Sequence, residues 1–198
     1  MTLRKLTKFW KLRKFGSTTS VIMDYKGNIL AISGSLRSGS SNHNILRFLG
    51  GLAPANINYS IYDRLAEIPP FDPGLDHEHP PEAVSELRSF IKNTSGVIIC
   101  TPEYAFGVPG QLKNMLDWMV SSSSLVDKPI ALVTASSVGS HAHAALLLTL
   151  GALSAKVIDG ATLLIPFIRS KIDPSGNIID QETEKALRDL MEVFLGEI

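Results

Sequence analysis

Ten residues, SGSLRSGSSN at positions 33–42, set five serines, two glycines, one arginine and one asparagine directly after the apolar run NILAI. The residue types suit an anion. Ser35, Ser40 and Ser41 carry hydroxyl donors, and Arg37 carries a planar charged fork that matches phosphate oxygens. Asn42 either caps a following helix or reaches the same anion. A helix N-terminus at this point adds free N–H groups and a favourable dipole. Gly34-Ser35-Leu36 fails the G-x-G-x-x-G fingerprint, and no G-K-[ST] follows. The loop therefore favours a terminal phosphomonoester over a pyrophosphate. The competing reading is a Ser/Gly capping loop with no ligand.

A second stretch, TPEYAFGVPGQLKNMLDWM at 101–119, joins two prolines and two glycines to the aromatic pair Tyr104 and Phe106. Backbone and apolar surface of this kind can hold a planar ring. Other reactive side chains offer less. His77 with His79 and His141 with His143 form two H-x-H pairs with no sequence sign that they converge, so no metal site is expected. Cys100 follows Val97, Ile98 and Ile99 and reads as a core residue.

Both stretches need a scaffold to bring them together. Apolar runs at 29–33, 57–62, 96–100, 129–134 and 157–165, the last interrupted, read as five strands. Amphipathic or apolar stretches at 42–52, 82–92, 111–120, 142–153 and 180–195 read as helices, with Pro109 suited to a first helical turn. Residues 65–81, with five prolines, form a loop or lid. Alternating strands and helices predict a flavodoxin-like, doubly wound five-stranded parallel sheet of order 2-1-3-4-5, helices on both faces. In such sheets ligands bind beyond the strand ends at the switch point between the first and third strands. Both stretches leave those two strands.

Formal net charge is zero over 198 residues, which argues against a nucleic-acid partner. That balance is uneven. Residues 1–22 hold six Lys or Arg and no acid, leaving 13 basic against 19 acidic residues in the remainder. The expected organisation is a basic N-terminal extension over 1–27 and one domain over 28–198. The extension reads as a disordered tail or an over-long start before Met23, with a transit peptide or a membrane-surface helix as alternatives. No run approaches the roughly 20 apolar residues of a membrane span. One cysteine excludes an internal disulfide and suits a reducing, cytoplasmic setting.

Two motifs carry a resemblance. Gly34-Ser35-Leu36-Arg37-x-x-Ser40-x-Asn42 and Pro102-Glu103-Tyr104-x-x-x-Val108-Pro109-Gly110-x-Leu112-Lys113-Asn114-x-x-Asp117-Trp118 resemble the NADPH-dependent FMN reductase family, which includes quinone, azo-dye and chromate reductases. The resemblance spans roughly 28–195. It implies non-covalent FMN, NADPH or NADH as co-substrate, a small-molecule electron acceptor, and a homodimer or homotetramer whose interface borders the flavin. By that resemblance Ser35, Arg37, Ser40 and Asn42, with Ser41 in the same loop, hold the FMN phosphate. Pro102, Glu103, Tyr104 and Ala105 line the ring and ribityl chain. Glu103 stays open between roles, one reading being a backbone contact to the flavin with its carboxylate facing the partner chain. TASSVG supplies Ser136, Ser137 and Gly139 to the flavin edge.

The chain departs from the family at Ala105, where relatives often carry asparagine, and at SHAHAALLL, where the family tends to show Gly-Gly-x-Arg. The implied chemistry is ping-pong electron transfer through the flavin, which needs no side-chain acid or base, so no catalytic residue is assigned. His141 is expected as a neighbour of substrate, while Asp117 and Trp118 read as structural. The alternative function is a flavodoxin-type carrier that binds FMN without oxidising NAD(P)H.

Overall fold

The structure, a computed structural model, describes residues 27–198. The expectations for the basic extension and for Met23 therefore lie outside the described residues, except that Gly27 already belongs to the first strand. Five strands form one sheet: β1 Gly27–Ser33, β2 Ile57–Tyr62, β3 Gly96–Thr101, β4 Pro129–Ala135 and β5 Lys156–Ile165. Their order is β2-β1-β3-β4-β5 and every pairing is parallel, as the alternation predicts. Five α-helices connect or follow them: α1 Ser41–Leu52, α2 Glu82–Lys92, α3 Gly110–Asp117, α4 Ser140–Ala152 and α5 Gln181–Leu195.

The central strands β1, β3 and β4 are buried on both faces, which is why their sequences are continuous apolar runs, while the edge strands β2 and β5 are only partly covered. Successive side chains alternate between two core layers. Leu30, Ile32, Val97, Ile99, Ile130 and Leu132 meet α2, α3 and α4. Ile29, Ala31, Ile98, Cys100, Ala131 and Val133 meet α1 and α5. The interruption expected in β5 is a bulge: pairing with β4 shifts register between Ile130 and Leu132, and Gly160 takes φ +78° there.

Register sets where the site forms. Ser33 pairs with Cys100, Thr101 with Thr134, and Ala135 with Ile165, so four strands end on one rim. The chain winds outward to β2 after β1 and the other way, to β4, after β3, which opens a crevice between β1 and β3.

The Pro-rich segment 65–81 is a loop tethered along its first half. Asn114 donates to Pro69 O (2.9 Å) and accepts from Phe71 N (2.7 Å), while Gln111 donates to Leu65 O and Ile68 O, both 2.8 Å. Trp118 is fully buried, donates its indole N–H to Pro69 O (2.8 Å) and meets Phe71 edge-on. Asp117 forms a surface pair with Lys113 and does not anchor the loop.

Candidate functional site

The rim carries a cleft of about 340 Å³. Its first wall is the β1–α1 loop. Gly34 N–H continues the ladder to Cys100 O (2.8 Å), and a Cβ on Gly34 would fall 2.3 Å from Thr101 Oγ1, so only glycine lets the loop leave the sheet this closely. Ser33 Oγ donates to Ser35 O and accepts from Ser35 N, and Ser35 Oγ accepts from Arg37 N, which folds the loop back on itself. Ser40 is the N-cap of α1, accepting from His43 N at 3.2 Å. The N–H groups of Ser41 and Asn42 begin the first turn, where a helix provides them no acceptor.

Asn42 does not cap the helix. Its amide donates to Ala135 O (3.3 Å) and accepts from the Cys100 thiol (3.3 Å), so it bridges the ends of β3 and β4 beneath the cleft. Burial pushes the Cys100 thiol up from its ordinary range, which suits its place in the core.

The β3–α3 loop supplies Pro102, Glu103 and Tyr104 to the lining. The carboxylate of Glu103 lies inside this chain, with a side chain only 6% exposed, and does not face outward toward a partner. It accepts from Ala142 N (2.9 Å) and Gly139 N (3.3 Å) at the start of α4. Those N–H groups, Ala142 first, hold its pKa below the usual carboxylate range against the opposing effect of burial. Ser136 Oγ donates to Glu103 O (3.4 Å). Glu103 thus fastens the β3–α3 loop to the β4–α4 loop.

Ala105 is carried out of the cleft. Tyr104 and Gly107 exchange backbone hydrogen bonds of 3.0 and 2.9 Å around a two-residue turn, and Ala105 (φ 49°) and Phe106 (φ 58°) occupy its centre. Both central residues with positive φ mark a type I′ turn, which asparagine or glycine adopts more readily. Phe106 is 72% exposed and its ring meets His141 edge-on at 5.2 Å, so His141 stands at the rim beside Glu103 and Phe106.

Gly139 also lies off the lining. It enters α4 at φ 95°, and a Cβ there would meet Leu164 at 2.8 Å. Its contribution is a turn and one N–H for Glu103. Ser136 and Ser137 do line the cleft.

Ten of the twelve expected site residues converge here, Ala105 and Gly139 being the exceptions. Ala135, Ile168 and Arg169 line it without having been expected. The last two follow β5 in a short 3-10 turn, Ile168–Lys171, held by Phe167 N to Ser137 O and Ile168 N to Ser136 O, both 3.2 Å. No motif marks them, but the tendency of strand ends to supply ligand contacts applies to β5 as well. Among the described residues no three His, Cys, Asp or Glu side chains gather as a metal site. No helix among them is long and apolar enough to cross a membrane.

Comparison with known proteins points one way. The family model of NADPH-dependent FMN reductases matches residues 28–169. A quinone reductase of Escherichia coli K12 is 35% identical over 182 residues, covering 87% of this chain and 95% of that protein. A 2-hydroxy-1,4-benzoquinone reductase of a Burkholderia species is 30% identical, covering 84% of this chain and 93% of its own length. Among solved structures, the flavoenzyme FerB, an NAD(P)H:acceptor oxidoreductase of Paracoccus denitrificans, superposes with TM-score 0.69 at 24% identity, covering 86% of this chain and 96% of that one. That likeness supports the fold.

Proposed function

The chain belongs to the NADPH-dependent FMN reductase family, and from that premise we propose that it passes electrons from NAD(P)H through FMN, bound in the cleft at the strand ends, to a quinone-like acceptor. One observation carries the reading: the phosphate-type donors of the first stretch and Pro102, Glu103 and Tyr104 of the second line a single cleft, although the two stretches are far apart in sequence.

The residues fit the cofactor. Ser35, Ser41, Arg37 and the first turn of α1 offer hydroxyl, guanidinium and N–H donors at one end, the set a phosphomonoester needs. Ser40 would add its hydroxyl only beyond its capping bond, and Asn42 would act through its N–H while its side chain braces the floor. Pro102, Glu103, Tyr104, Ser136 and Ser137 form the remaining walls, with Glu103 serving through its backbone and its capping carboxylate. The chemistry that bound FMN would supply there is two-electron transfer, from the hydride of NAD(P)H to an acceptor. The chain orients and shields; no acid or base is required of it.

Tyr104, Phe106 and His141 give the mouth one aromatic face. We read that face as serving nicotinamide and acceptor in turn, which gives ping-pong exchange. Acceptors of this class are planar and conjugated, and quinones match the apolar rim best.

The outer face of α4 supports self-association. That helix is apolar all round, yet Leu148 is 77% exposed and Leu147 37%, with Val138 and Phe106 also exposed near its start. A helix of this composition needs cover on both sides, and a second copy of this chain, as dimer or tetramer, would provide it. The buried free thiol of Cys100 suits the cytoplasm.

The test is flavin binding by the purified protein. Wild type should retain FMN, and Arg37→Ala should weaken FMN about tenfold or more while leaving riboflavin unchanged. Loss of neither, or of both equally, would remove Arg37 from the phosphate.

A further inference from the structure

Arg169 lines the cleft together with Arg37, yet it comes from the turn after β5 and belongs to neither motif. Among the described residues neither guanidinium has an ion-pair or hydrogen-bond partner. Of the four other arginines among the described residues three are matched, Arg64 with Glu67 and Glu86, Arg88 with Asp76, and Arg188 with Glu184, and Arg47 is not. The one carboxylate at the cleft, Glu103, is already engaged by Ala142 N and Gly139 N. The cleft therefore presents two uncompensated cations. A phosphomonoester carries about −1.5 to −2 charge at neutral pH, which one arginine leaves unbalanced and two match.

The chain around Arg169 runs close to α1. Ile168, its neighbour, is buried in the core layer that also holds Ile45, Leu46 and Leu49 of α1. Farther on, Gly176 lies so close to α1 that a Cβ there would fall 2.6 Å from the Asn44 side chain. The turn thus packs between the β4–α4 loop, through Ser136 O and Ser137 O, and the layer under α1, and Arg169 lines the same cleft as Ser41 and Arg37.

We propose that Arg169 is a second cationic ligand of the FMN phosphate and sets the preference for phosphorylated flavin over riboflavin. This rests on reading the cleft as the FMN site. Two guanidiniums would match the charge of the phosphate, which the β1–α1 loop with Arg37 alone does not.

Apo-protein titrated with FMN and with riboflavin, followed by quenching of flavin fluorescence, tests it. Arg169→Ala should weaken FMN about tenfold or more and leave riboflavin unchanged. Arg169→Lys should recover part of the loss, since it restores charge without the fork. Unchanged FMN affinity overturns the proposal, and so does equal weakening of both flavins, which marks a structural role. A raised KM for NADPH but not NADH, with FMN affinity intact, assigns Arg169 to the nucleotide's extra phosphate and also overturns it. Failure of the FMN reading itself shows separately, as wild-type protein that does not prefer FMN to riboflavin.

Discussion

Glu103 decides the geometry of the site through bonds rather than chemistry. Its carboxylate accepts from two N–H groups of α4 while its carbonyl accepts from Ser136, so one residue sets two loops against each other. Capping bonds of this kind contribute about 1 kcal/mol, and more when the acceptor is charged. Glu103→Ala should therefore lower stability by about 1–2 kcal/mol and weaken flavin binding, read by denaturant unfolding and flavin titration. The pH dependence has a definite sign. A carboxylate whose pKa is depressed on folding contributes stability that is present above its unfolded value of 4.5 and lost as pH falls through the folded value. His143 acts in the same direction, because burial lowers its pKa from 6.5 and so disfavours its charged form. Unfolding free energy should fall as pH drops below about 6.5 and fall again below 4.5. Glu103→Gln should flatten only the lower step. The sequence exposed Glu103 as a motif residue but not this role, since its partner Ala142 lies 39 residues away.

At the scale of elements, the Tyr104–Gly107 turn is the strained part of the cleft. Two non-glycine residues sit at positive φ, each at a cost of about 1–2 kcal/mol, and the exposed ring of Phe106 offsets little of it by burial. Ala105→Asn should relieve part of that strain and raise the melting temperature by about 2–4 °C, without loss of FMN, because Ala105 lies off the lining. Asn114 has the opposite character. It accepts from Phe71 N and donates to Pro69 O, so Asn114→Ala leaves the half-buried Phe71 N–H without its acceptor, while Pro69 O keeps the bond from Trp118. A loss of about 1–3 kcal/mol is expected, with earlier proteolysis within that segment. Composition alone left 65–81 open between loop and lid. Prolines show that a segment is irregular; which helix holds it down depends on side-chain amides at 111 and 114, whose reach no periodicity reports.

For the whole molecule, sheet order and layer structure were legible because the buried central strands write themselves as continuous apolar runs, β2 as an alternating one, and the helices between them keep their spacing. The phosphate-type loop and the aromatic loop were legible for the same reason: each follows a strand whose place in the sheet was already set. Arg169 was not, since a single arginine after β5 has no pattern, and only its place in the cleft lining gives it meaning. The apolar outer face of α4 bears on assembly. Leu148→Glu should shift sedimentation toward the monomer with an unchanged circular dichroism spectrum, because Leu148 is 77% exposed within one chain. The central claim concerns turnover. Initial rates of NADPH oxidation by the FMN-loaded protein, at several fixed concentrations of a benzoquinone, test it most directly. Parallel double-reciprocal lines are predicted, as one cleft mouth serves donor and acceptor in turn. Bound FMN with no NADPH oxidation would contradict the account and make the protein an electron carrier.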